Sequence, residues 1–74
     1  MDINIKFSKT LKLIRKSKGL TQEQLAERSG IDYKYLQKLE SKNPSSPTLQ
    51  VLEKLAFGLG ISLQEFIKEI EEQK

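Results

Sequence analysis

The sequence contains no cysteine and no histidine, and these absences exclude most familiar kinds of catalytic and metal site. Without cysteine there is no disulfide framework and no thiolate ligand for a metal ion. Without histidine the usual imidazole ligand and the most frequent general base are missing. The chain also has no nucleophile paired with a base and no glycine-rich phosphate loop. We therefore expect a protein that is not an enzyme, with no cofactor, metal or evident small-molecule ligand.

Long apolar runs are absent as well. The longest uncharged apolar stretch, residues 55–63, is far shorter than the roughly 20 residues that cross a bilayer. The N-terminus has no apolar segment ahead of a cleavage site. We therefore expect a cytoplasmic protein with no membrane partner. The composition, 36% hydrophobic and 31% charged, is typical of a folded domain, and 74 residues leave room for a single domain, residues 1–74.

The charge is distributed unevenly along the chain. Residues 1–42 carry a net charge of +5 and residues 43–74 a net charge of −2, which together give the overall +3. Basic residues gathered in one half indicate a polyanionic partner, although charge alone equally fits a solvated lysine-rich surface.

Apolar residues recur at helical spacing and never alternate over the length of a strand, which predicts an all-α fold. Five helices are expected, covering residues 4–18, 22–28, 33–41 and 49–59, with a fifth that follows Ser62. Thr21 with Gln24, and Ser62 with Glu65, have the spacing of capping boxes at the starts of the second and fifth helices. The segment 42–47 holds both prolines and is therefore predicted to be a surface loop.

The third predicted helix has two different faces. At 100° per residue, its polar residues fall within an arc of about 140°, and Leu36 and Leu39 lie on the other side with Tyr35. The polar face consists of Tyr33, Lys34, Gln37, Lys38 and Ser41. Lysine, glutamine and tyrosine reach base edges and phosphates, and an α-helix fits the roughly 12 Å major groove of DNA. Any surface helix has a polar face, however, so this helix alone does not decide the function.

The wider pattern is more specific. The residues 22–41, QEQLAERSGIDYKYLQKLES, resemble the helix-turn-helix of the phage repressor and Cro class (Xre type) of transcriptional regulators. Ala26 permits two helices to cross closely, and Gly30 permits the positive φ of the turn. Residues 19–26, GLTQEQLA, match the stretch that opens the motif in this family. In the family a proline is followed by a fourth helix that ends L-A-x-x-L-G, and Pro47 and residues 55–60 match this pattern. The resemblance implies a compact five-helix, repressor-like DNA-binding domain.

The resemblance also assigns roles to residues. It places the start of the third helix in the major groove, so that Tyr33, Lys34, Gln37 and Lys38 are the expected base readers. The expected phosphate contacts lie at the start of the second helix and in the loop after the third helix. They are Thr21, Gln22, Ser41, Lys42 and Asn43. The loop departs from the family pattern, because Lys42 stands where a glycine is usual, and we expect Asn43 to adopt the left-handed conformation instead.

The sequence also predicts an internal ion pair and a mode of assembly. Arg15 and Glu40 match a family pair that forms a partly buried ion pair, and we expect them to be structural. One module reads too few bases for operator specificity, so a homodimer on a pseudo-palindrome is expected. The fifth helix is its candidate interface, through Leu63, Phe66, Ile67 and Ile70, unless this stripe closes the core of one chain.

Three functions fit this sequence. The first is a stand-alone regulator of double-stranded DNA, most similar to the controller proteins of restriction-modification systems, with RNA polymerase as a further contact in activation. The second is an antitoxin that represses its own operon and also binds a toxin. The third is a protein-interaction module that has lost DNA binding.

Overall fold

A computed structural model describes residues 2–74, and Met1, the first residue of the predicted domain range, lies outside them. Over the described residues the chain forms five helices and no strand, which confirms the all-α prediction. The helices are α1 (Ile3–Ser17), α2 (Gln22–Ser29), α3 (Tyr33–Leu39), α4 (Leu49–Leu59) and α5 (Leu63–Glu72). In residues 2–74 no helix is both long enough and apolar enough to cross a membrane.

Each helix begins at a side chain whose oxygen accepts a hydrogen bond from the first turn, which satisfies one of the free backbone donors there. The five caps are Asp2, Thr21, Asp32, Thr48 and Ser62. The predicted capping box of Thr21 and Gln24 is complete. Of the second predicted box only one half is formed, in which the Ser62 side chain accepts from the Glu65 N–H at 3.0 Å.

The ends of α2 and α4 are fixed by glycines in the left-handed conformation. Gly30 has φ 69° and Gly60 has φ 76°, values that cost other residues steric strain. In both cases the next residue donates its N–H to the carbonyl five residues back, so that Ile31 bonds Ala26 and Ile61 bonds Ala56. Each helix is therefore closed by a sharp turn, and the turn at Gly30 joins α2 directly to α3.

The helix α3 is shorter than predicted, because it ends at Leu39 and not at residue 41. Glu40 is its C-cap, with φ −93° and ψ 3°, and the Ser41 carbonyl accepts a hydrogen bond from Ser8 Oγ of α1 at 3.1 Å. These contacts draw the chain out of the helix towards α1. The prediction that Asn43 adopts the left-handed conformation is wrong, since no described residue other than glycine has a positive φ.

One core draws side chains from all five helices. Its members are Phe7, Leu11 and Ile14 of α1, Leu25 and Ala26 of α2, Leu36 and Leu39 of α3, Leu55, Ala56 and Leu59 of α4, and Phe66 and Ile70 of α5. The helix α2 packs against α3 and α4, and α5 packs against α1 and α4. A Cβ on Gly58 would collide with Ser29 Oγ and lie 3.0 Å from Leu25 Cδ1. The absence of a side chain at Gly58 is therefore what lets α4 approach α2 closely.

Candidate nucleic-acid interface

The helix α3 is anchored by one face and exposed on the other. Leu36 and Leu39 are fully buried in the core, and Tyr35 is half-buried against it. The four predicted base readers, Tyr33, Lys34, Gln37 and Lys38, all lie on the exposed side. The short helix thus presents four long polar side chains from a backbone that its leucines hold in place.

Two of these side chains are bonded to each other. Gln37 donates a hydrogen bond from Nε2 to the Tyr33 hydroxyl oxygen at 3.1 Å, one helical turn away. The amide of Gln37 keeps its carbonyl oxygen and its second N–H for other partners, and the Tyr33 hydroxyl keeps its hydrogen. The bond orients the two side chains relative to each other. The sequence spacing of four residues is compatible with this contact but did not reveal it.

An ion pair holds three helices at this end of the molecule. Arg15 bonds Glu40 with two nitrogens, Nε to Oε2 at 2.7 Å and Nη2 to Oε1 at 3.0 Å. Its third nitrogen, Nη1, donates to the Leu20 carbonyl at 2.7 Å, just ahead of α2. Both side chains are buried, as is usual for a bidentate arginine–carboxylate pair with further hydrogen bonds. The end of α1, the approach to α2 and the end of α3 are thereby fixed relative to one another.

Gln22, a predicted phosphate contact, belongs partly to this network. Its Nε2 donates to Glu40 Oε1 at 3.1 Å, a bond that sequence reasoning missed because the two residues are 18 positions apart. The second amide hydrogen remains available. The neighbouring Thr21 uses its hydroxyl oxygen to accept from the Gln24 N–H, and its own N–H donates to Gln24 Oε1. Backbone N–H groups at the start of α2 complete a surface suited to an anion.

The loop after α3 provides the other predicted phosphate contacts, and the structure divides them. Ser41 uses its hydroxyl within the chain, as a donor to the Lys38 carbonyl at 2.7 Å. Lys42 and Asn43 are exposed. The loop therefore offers two free side chains, while Ser41 mainly shapes the turn.

The four predicted interface residues of α5 separate into two pairs. Phe66 and Ile70 are buried in the core of the single chain, and the Phe66 ring lies 6.1 Å from the Phe7 ring, centroid to centroid. Leu63 is half-buried, and Ile67 keeps 40% of its surface exposed. Only Leu63 and Ile67 are thus left with area for a second molecule. Phe57 of α4 is 77% exposed and lies outside the core.

Known proteins of similar sequence have the same fold. A helix-turn-helix family model matches residues 11–66. The control protein C.MunI of Mycoplasma sp is 38% identical over 73 residues, which is 97% of each chain. The wild-type restriction-modification controller protein C.Esp1396I is 33% identical, with a TM-score of 0.87 over 97% of this chain and 93% of that one. A structure of C.Esp1396I bound to a 19 base pair DNA duplex gives a TM-score of 0.87 at 33% identity, covering 97% of this chain and 95% of its own. This chain belongs to the helix-turn-helix family of DNA-binding transcriptional regulators, of the Xre and Cro/C1 type.

Proposed function

We propose that this regulator acts as a homodimer on a pseudo-palindromic operator, with α3 in the major groove. The observation that carries the proposal is the division of α3 into a leucine face locked into the core and a free face of four long polar side chains. The same fold, in C.Esp1396I, is bound to a DNA duplex.

The chemistry of the exposed face fits base edges. A lysine ammonium group is a good donor to guanine O6 and N7, so Lys34 and Lys38 are proposed to read guanine. Gln37 still has one donor and one acceptor free, which is the pair that adenine N6 and N7 require. Tyr33 can contact a phosphate or a thymine methyl group while it holds Gln37 in position.

Two segments are proposed to grip the DNA backbone. The start of α2 offers Thr21, the free amide hydrogen of Gln22 and backbone N–H groups, and the loop after α3 offers Lys42 and Asn43 beside Ser41. Such contacts fix the register of the protein on the duplex without reading sequence. The Arg15–Glu40 pair supports this arrangement, because it bonds the residues that lead into both segments.

The number of base readers favours a dimer. Three or four contacts at about 1–3 kcal/mol each barely reach the roughly 4–10 kcal/mol that separates specific from non-specific binding. Two-fold symmetry doubles the contacts and places the two recognition helices about 34–36 Å apart.

An apolar surface suited to a second copy lies beside α5. Ile67 lines a groove of about 300 Å³ together with Ile3 and Leu52, between α1, α4 and α5. Ile3 is exposed like Ile67. We propose that this groove and the outer side of α5, with Leu63 and Ile67, form the dimer contact, whereas Phe66 and Ile70 support it from within the core.

Selection of bound duplexes from a random DNA pool, at near-physiological salt, tests the proposal. The expected result is a two-fold symmetric motif with half-sites one helical turn apart. The matched control is the double variant Lys34→Ala, Gln37→Ala, which should keep the fold, because both side chains are exposed, and should enrich no such motif. If the unaltered protein enriches no sequence, the proposed function is wrong, and the protein-interaction module becomes the better reading.

The similarity to control and controller proteins over nearly the whole chain favours a regulator of a restriction-modification system. Such a protein would act in the cytoplasm, where the DNA is. A methyltransferase or endonuclease gene next to this gene is the expected finding. A small toxin gene in that place would instead support the antitoxin function.

A further inference from the structure

Three lysines of α1 share one side of the helix. Lys9, Lys12 and Lys16 follow one another at spacings of three and four residues, so they lie within one narrow arc. All three are exposed, while the opposite side of α1 is buried in the core. We call these three residues the lysine row.

The lysine row begins beside the loop that follows α3. Lys9 and Lys12 line one groove together with Ser41 and Lys42 of that loop. A second groove contains Lys9, Lys12 and Lys16, so the row continues along α1 away from the loop. Its positive charge is therefore continuous with that of Lys42.

The charge of the lysine row is not neutralised by neighbouring carboxylates. In the described part of the chain the Arg15–Glu40 pair is the one ion pair within 4.0 Å. Glu40 also borders the groove of Lys9 and Lys12, but its oxygens are already bonded by Arg15 and Gln22. Acidic side chains of α5 line other grooves: Glu69 and Glu72 lie with Thr10 and Leu13, and Glu71 lies with Ile3 and Phe7.

We infer that the lysine row is a third phosphate-binding segment of the DNA interface, which holds the backbone beyond the part gripped by the loop after α3. This inference rests on the proposed function and adds a site to it. Ammonium groups bind phosphates as point charges without regard to base sequence. The row accounts for three of the positive charges that make residues 1–42 basic.

Salt dependence of binding tests the inference. Each phosphate that a protein neutralises contributes about −0.9 to the slope of log K against log salt on B-DNA. The variant Lys9→Gln, Lys12→Gln, Lys16→Gln should therefore bind the operator with a slope shallower by about 0.9 for each lysine that contacts a phosphate. Its sequence preference should stay unchanged.

The second half of the chain supplies a matched control. Its three lysines, Lys54, Lys68 and Lys74, are exposed and belong to α4, α5 and the C-terminus. The variant Lys54→Gln, Lys68→Gln, Lys74→Gln removes the same charge and should keep the slope of the unaltered protein. Equal slopes for the two triple variants overturn the inference. Failure of the unaltered protein to bind DNA is a different outcome, because it removes the proposed function itself.

Replacement of single phosphates by neutral methylphosphonates locates the contacts. A methylphosphonate at a position that the lysine row contacts should weaken binding of the unaltered protein. The same replacement should not weaken binding of the triple variant of α1, because that variant has already lost the contact. We expect these positions to adjoin the ones that respond to Lys42→Gln. Positions that are scattered, or that respond equally in both proteins, contradict the inference.

Discussion

At the scale of single residues, Arg15 joins the approach to α2 to the end of α3. Its guanidinium bonds the Glu40 carboxylate twice and the Leu20 carbonyl once, and Glu40 in turn accepts from Gln22. The planar fork of arginine matches this arrangement, which the single ammonium group of lysine does not. The position of both proposed phosphate-binding segments thus depends on one buried pair.

Loss of one partner should be far more harmful than loss of both. In Glu40→Ala the Arg15 guanidinium stays buried without its carboxylate, and we expect the free energy of unfolding to fall by about 3–5 kcal/mol. Thermal or urea denaturation measures this change. The double variant Arg15→Met, Glu40→Leu should recover much of it, since apolar replacements of buried pairs are often nearly neutral. A single variant as stable as the unaltered protein would show that the pair is dispensable.

Base readers and phosphate contacts should respond differently to substitution. We expect Gln37→Ala to relax preference at one position of each half-site, by about 1–3 kcal/mol. Lys42→Ala should weaken all sequences alike and reduce the salt slope by about 1. Binding measured on the selected operator and on single-base variants, at several salt concentrations, distinguishes the two effects. Uniform loss in both variants contradicts the division of roles.

At the scale of helices, α2 and α4 approach each other closely at Gly58. Gly58 faces Ser29, whose hydroxyl is buried without a hydrogen-bond partner. Arg28 closes the contact from outside, by donating from Nε to the Gly58 carbonyl at 2.9 Å. The first helix of the helix-turn-helix is thus supported by α4 as well as by α3.

Gly58→Ala should destabilise the protein, although alanine is the better helix former by about 1 kcal/mol. The added methyl group meets Ser29 Oγ, and overpacking of this kind costs about 1–3 kcal/mol or more. Ser29→Ala alone should be close to neutral, because that hydroxyl has no partner to lose. The double variant should be more stable than Gly58→Ala in chemical denaturation. If the double variant is no more stable than Gly58→Ala, the contact with Ser29 Oγ is not the cause of the destabilisation.

The elements themselves could be predicted from the sequence, because local signals define them. Thr21, Thr48 and Gly60 mark helix ends through side-chain oxygens and a positive φ, which depend on neighbouring residues alone. The end of α3 could not be predicted in this way. It depends on Ser8 and Arg15 of α1, and tertiary contacts of this kind leave no periodic signal in the sequence.

The candidate site was likewise only partly predictable. The exposed face of α3 follows from helical spacing, and its residues lie where that spacing puts them. The bond between Gln22 and Glu40 and the groove shared by Lys9 and Lys42 bring together residues far apart in the chain. The same holds for α5, because the spacing of its apolar residues did not show that Phe66 and Ile70 are buried while Ile67 stays exposed.

At the scale of the whole molecule, the proposed dimer can be tested without disturbing the core. Ile67→Ser removes an apolar side chain that is 40% exposed, so the monomer should stay folded. The dimer loses the burial of the Ile67 side chain in the interface, which should raise its dissociation constant by about tenfold or more. Light scattering or sedimentation measures this change. The control Leu13→Ser changes a residue that is 61% exposed on α1 and should leave association unchanged, whereas equal effects in the two variants would contradict the proposed interface.

The buried pair of Arg15 and Glu40 has a consequence for the DNA as well as for the protein. It links the start of α2 to the loop after α3, the two segments that are proposed to contact the DNA backbone on either side of α3. If both segments contact the DNA backbone as proposed, a bound duplex has to match the spacing between them at its groove. The cost of that adaptation depends on the stiffness of the base steps between the contacts. Positions that no side chain touches would then contribute to operator choice through the mechanical properties of the duplex.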